Sequence, residues 1–172
     1  RSFSFRPLAD IRPLHQATQV GRRIDLLKYD DASWHYGGDF PPSLPESAGA
    51  THIAMFVSWA VLNGMAGDLH TSEFSEDREK LSRQEIAPGE WFLSICDGKF
   101  TDEDLNSDGQ QFAAAYYADE NGLHTASGSY LADYDHAFSA SETLYHVPDT
   151  WGTQAIVSRF IEARLASWRN GS

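Results

Sequence analysis

The most constraining feature of this chain is the run Thr51 to Leu62, THIAMFVSWAVL. Wound as a helix, it carries Ile53, Met55, Phe56, Val57, Trp59, Ala60, Val61 and Leu62 around nearly its whole circumference. A helix apolar on every side belongs inside a protein, not on its surface. Gly64 follows as a fitting C-terminal cap, so the pattern predicts a buried central helix over 51–64. Immediately upstream, residues 29–45 hold Tyr29, Trp34, His35, Tyr36 and Phe40, interrupted by Gly37-Gly38, Pro41-Pro42 and Pro45. Those breakers forbid a regular helix. The segment reads as an irregular aromatic loop that orders by packing Trp34, Tyr36 and Phe40 near the central helix.

The other elements must surround that helix. Residues 73–85 hold four Glu, one Asp and three bases around Leu81, a solvated face. Pro88 stands where a first helical residue belongs, ahead of Trp91, Phe92, Leu93, Ile95 and Cys96. Thr101-Asp-Glu-Asp104 reads as a capping box, with Gly109 separating its turn from a helix over 110–119. Tyr130, Leu131, Tyr134 and Phe138 recur at helical spacing. Thr150 caps a last helix whose stripe is Ile156, Val157, Phe160, Ile161, Leu165 and Trp168. The fold class expected is mainly α: one compact helical domain of about five helices.

At 172 residues, 41 % apolar and 22 % charged, the chain suits one ordinary globular domain. Its formal charge of −12 is unevenly spread. Residues 1–28 carry six bases against Asp10 and Asp25, a basic N-terminal extension of net +4. Residues 29–172 carry seven bases against 23 acids, net −16, so residues 29–170 read as a single acidic globular domain. Such a body repels nucleic acid and anionic membrane and attracts basic partners. A lone cysteine, Cys96, excludes an intrachain disulfide, fits a reducing compartment and reads as a packed core thiol. There is no run of 18 apolar residues, and Phe3, Phe5 and Leu8 are too broken by Ser, Arg and Pro to make a signal core. A cytoplasmic location is expected.

Several strings carry a resemblance. Tyr29–Pro41 reads YDDASWHYGGDFP, followed by ATHI-x-MF-x-x-WA over 50–60, KFTDEDLN over 99–106, the Ala-Tyr-Tyr run at Tyr117, and LYHV-x-DTW over 144–151. Across roughly Tyr29 to Trp168 the chain resembles a family of small bacterial cytosolic proteins, some lying beside secreted toxins where immunity proteins are expected. The resemblance implies no catalytic residue. It implies a partner: a cognate protein toxin, with a basic nuclease fitting the charge best.

The candidate sites divide by chemistry. Asp104, Asn106, Asp108 and Gly109 match the first half of an EF-hand loop, but the position needing a bidentate Glu holds Ala115. A capped helix and turn explains them as well. His35 and His52 flank the aromatic loop near Asp30, Asp31 and Asp39, a set chemically able to hold zinc but without the short paired spacing of zinc motifs. They read more simply as structural histidines, one orienting the loop through an Asp carboxylate; no metal and no cofactor is expected. A hydrolase or metal-dependent enzyme would pair Asp30 or Asp31 with His35, yet no G-x-S-x-G elbow or phosphate loop accompanies them. A regulatory or scaffold module is the other alternative. The leading expectation is a non-enzymatic binding protein whose acids meet the partner: Glu73, Glu76 and Asp77; Asp102, Asp104 and Asp108; and Asp119 with Glu120.

Overall fold

The computed structural model describes residues 26–118 and 129–171. It is mainly helical, with six α-helices and a two-stranded sheet among the described residues. The central helix α1 spans Thr51–Leu62 and is buried from Thr51 through Val61. A 3-10 turn, Glu46–Ala50, feeds into it, and Gly64 closes it at φ +83°. Helix α2, Ser75–Ser82, buries only Leu81, as a solvated segment must. Pro88 does begin a helix: α3, Pro88–Ile95, drives Trp91 and Phe92 fully into the core against α1.

The capping box at Thr101 forms, with Asp104 Oδ2 accepting from Thr101 N at 2.8 Å, but it caps only the short 3-10 turn Asp102–Asp104. Gly109 does not separate two elements. Asn106 accepts from Gly109 N at 3.0 Å and so starts α4, Ser107–Phe112, with the glycine inside its first turn. The helix then widens into a π-turn, Ala113–Tyr117. Helix α5 is Tyr130–Ala137, and α6 is Trp151–Arg169, begun by Thr150 accepting from Thr153 N at 3.1 Å. Val157 and Ile161 of α6 point inward, whereas Ile156 is 43 % exposed and does not belong to the buried stripe. Its place toward α1 is taken by Gln154, which donates to Met55 O and accepts from Ser58 Oγ, both at 3.0 Å.

The sheet pairs β1, Lys28–Asp31, with β2, Lys99–Thr101, antiparallel. Its register slips between Lys28 and Asp30, and irregularities of this kind re-aim the side chains beside them. From β1 the chain enters a 3-10 turn, Ala32–His35. Residues three apart eclipse in such a turn, so Ala32 and His35 face inward and Trp34 is left 60 % exposed, with Lys28 Nζ 5.5 Å above its ring. The expectation that Trp34 packs near α1 is therefore corrected. Tyr36 and Phe40 are half-buried, and Tyr36 lies on Gly49, where a Cβ would come within 2.9 Å of its ring. No helix among the described residues is long and apolar enough to cross a membrane.

Candidate functional site

Residues from four separated stretches meet at the N-terminal end of α1. Asp30, aimed by the irregular register of β1, accepts from His35 Nε2 at Oδ1, 3.0 Å, and from the Tyr117 hydroxyl at Oδ2, 2.6 Å. The π-turn presents Tyr117, and the 3-10 turn presents His35. On its other side, His35 Nδ1 lies 3.2 Å from the Tyr145 hydroxyl. His52, the second residue of α1, stands edge-on to His35 with ring centroids 4.5 Å apart. Its Nε2 is 3.9 Å from Asp30 Oδ2, too far for a hydrogen bond. Both His52 ring nitrogens are buried without a hydrogen-bond partner among the described residues.

Charge in this centre follows from burial and hydrogen bonding. Burial alone pushes the Asp30 carboxyl up, but the bonds from His35 and Tyr117, with His52 nearby, outweigh it and hold the group below its ordinary value. His52 is driven the other way: burial, aided by His35, depresses it to about 3 against the pull of Asp30, so the ring is neutral. Burial and the Asp30 charge raise the Tyr117 hydroxyl, which stays protonated and able to donate. The centre is thus one carboxylate, one neutral buried imidazole and a second imidazole at the edge. Tyr145 also lines a surface cavity of about 490 Å³ with Leu44, Thr51, Leu93 and Asp149.

Asp31, the other half of the acid–base alternative, is otherwise engaged. It accepts from Ser33 N and Ser33 Oγ and pairs with Lys28 at 2.7 Å, starting the 3-10 turn. These bonds overcome the effect of burial and hold its carboxyl at about 2. Asp39 lies on the exposed loop. Of the acids near His35, the fold brings Asp30 to it.

The acidic candidates separate as well. Glu73 meets Asp102, together with Asp68 and Glu103, around a depression of about 570 Å³ also lined by Leu69, Leu105 and Gln110, with no base among them. One oxygen of Asp102 is buried there without a hydrogen-bond partner among the described residues. Glu76 is exposed, whereas Asp77 pairs with Lys80 at 2.7 Å and Asp108 with Arg169 at 3.7 Å. Asp104 is 1 % exposed and faces inward, so its carboxylate is not at the surface for a partner. Asp119 and Glu120 lie outside the described residues.

Asp104 instead joins His70 and Cys96 in a second buried cluster, accepting from His70 Nε2 at 2.8 Å. Burial, and then Asp104, raise the Cys96 thiol well above its ordinary value, so it remains a protonated core thiol. Asp104 is turned inward to His70 and Asn106 caps α4, so these two EF-like oxygens are engaged in different tasks. Sequence reasoning missed Tyr117 and Tyr145. They lie 87 and 110 residues from the partners they touch, and the signal was that both fall in strings that carry the family resemblance.

Residues 28–147 match a family described as a domain of unknown function, DUF7832. Comparison with curated proteins and with solved structures gives no match. The family match takes in Asp30, His35, His52, Tyr117 and Tyr145, the four acids of the depression, and every described element except α6. Covering 120 of 172 residues, it shows that the chain belongs to the DUF7832 family.

Proposed function

We propose that this protein is a non-enzymatic binding protein that engages a basic partner through the acidic depression. The partner we propose is a bacterial toxin, neutralised in the cytoplasm when its active site is covered. One observation carries the reading: Asp68, Glu73, Asp102 and Glu103, from two stretches distant in sequence, face one depression that no base lines among the described residues. Four carboxylates so placed repel one another, and a Lys- or Arg-bearing surface would relieve that repulsion. The proposal of a toxin rests on the family resemblance.

The test is to recover the protein that co-purifies with this chain from its own cells and, when that partner is a secreted toxin, to co-express the two. The wild type should rescue growth. The double reversal Glu73→Lys with Asp102→Lys should weaken the complex roughly a hundredfold and abolish rescue, with an association rate that falls steeply with salt. Full rescue by that variant would remove the depression from the interface. An intact complex that gives no rescue would end the immunity reading.

A catalytic reading has one observation in its favour, the Asp30–His35–Tyr145 chain beside the 490 Å³ cavity. It makes the opposite demand. His35→Ala should then destroy function while the protein stays folded, and the acid reversals should be harmless.

A further inference from the structure

We propose that Asp30, His35 and His52 form a binding site for one divalent transition-metal ion, zinc being the natural occupant. The first observation is geometric: a carboxylate oxygen and one nitrogen from each imidazole all lie within 4.8 Å of one another. Ligands about 2.0–2.1 Å from a tetrahedral zinc stand roughly 3.3 Å apart. The pair Asp30 Oδ1 and His35 Nε2, 3.0 Å apart, already has nearly that spacing. His52 Nε2 lies 3.9 Å from the other carboxylate oxygen, Oδ2, so the carboxylate would bind through both oxygens or turn slightly to bring one oxygen between the two imidazoles.

The second observation is independent of the first. His52 is 1 % exposed, and neither of its ring nitrogens has a hydrogen-bond partner among the described residues. Buried polar groups are nearly always satisfied, and one left without a partner destabilises the fold. An apolar residue would fill this second position of α1 without that cost. An imidazole there is accounted for by a ligand that takes its lone pair.

The surroundings are those that hold metal ligands in place. Tyr117 donates to Asp30 and fixes the carboxylate. Tyr145 sits at His35 Nδ1, where it can accept that N–H once Nε2 turns to the ion. Two imidazoles and one carboxylate suit zinc and its neighbours; calcium and magnesium prefer all-oxygen shells. Access comes from the edge of the site, where the His35 side chain is 20 % exposed and Asp30 14 %. The ion would tie β1 and the aromatic loop to α1, a role separate from the acidic depression. The sequence did not predict it because the ligands are 5 and 17 residues apart, outside the short paired spacings of zinc motifs.

The full chain, stripped with a chelator and dialysed, is titrated with zinc by calorimetry and with Co²⁺ by visible absorption. One equivalent should bind with submicromolar affinity, and Co²⁺ should show the intense bands of a tetrahedral site. His35→Ala, at the exposed edge, should weaken binding at least roughly a hundredfold while leaving the far-ultraviolet dichroism unchanged. Asp30→Asn should weaken it in the same way, which keeps the test decisive if the buried His52→Gln variant fails to fold. Cys96→Ser should bind as the wild type does. No binding by the wild type overturns the proposal. So does binding that survives His35→Ala, or binding that is lost with Cys96→Ser alone, which would place the ion in the His70 cluster. None of these outcomes bears on the charge-reversal test of the depression.

Discussion

His52 shows how one residue's environment becomes a property of the whole protein. Its ring is enclosed by His35, Tyr134 and Tyr145, and burial holds it neutral, with a value near 3 in place of 6.5. In chelator-treated protein the sign follows directly. Below pH 6.5 the unfolded chain takes up a proton that the folded ring refuses, so stability present above 6.5 is lost as pH falls toward 3. Between pH 7.5 and 5 the wild type should therefore lose about 2 kcal/mol that His52→Gln retains, read from urea midpoints. Equal losses in the two proteins would refute a neutral His52. The sequence did make legible that a loop histidine would bond an Asp carboxylate, and His35 does bond Asp30. It did not show that His52 stays unsatisfied, because that depends on rings brought in from residues 134 and 145.

At the scale of elements, legibility followed locality. The all-round burial of α1, the start of α3 at Pro88 and the cap of α6 at Thr150 are written in adjacent residues, and all three form. The β1–β2 pairing, joining strands 68 residues apart, carries no local signal. Nor does the π-turn that aims Tyr117, since five-residue spacing does not stand out within an alanine-rich run. The connection after α1 holds a tight approach of the same long-range kind. Gly67 N donates to Asp104 O at 3.0 Å, and a Cβ on Gly67 would lie 2.3 Å from Glu103 O and 3.0 Å from Leu105 O. Backbone stands on both sides, so no side chain can swing away. Gly67→Ala should cost at least about 2 kcal/mol, whereas Gly37→Ala, with nothing within 4 Å, should stay within about 0.5 kcal/mol of the wild type. Similar midpoints for the two variants in chemical denaturation would mean that the bridge between Ala66 and Leu105 is not a tight one.

At the scale of the whole molecule, the family match ends at residue 147, but the core does not. Helix α6 begins at Trp151 and sends Val157 and Ile161 fully into the cluster around α1. Phe160, Leu165 and Trp168 cover it further, and Arg164 clamps Asp133 of α5 through two bonds of 2.7 Å. Gln154 accepts from the buried hydroxyl of Ser58 in α1, which also donates to Met55 O at 3.4 Å. Removing α6 therefore uncovers apolar surface around α1. At about 1.5–3 kcal/mol for each fully buried aliphatic side chain, Val157 and Ile161 alone account for roughly 3–6 kcal/mol. That is comparable with the whole stability of an ordinary domain, about 5–15 kcal/mol. A chain ending at residue 150 keeps everything the family match describes and should still fail to fold, losing its near-ultraviolet dichroism and its cooperative thermal transition. If that fragment melts cooperatively within about ten degrees of the full chain, α6 is an appendage and the core is closed without it.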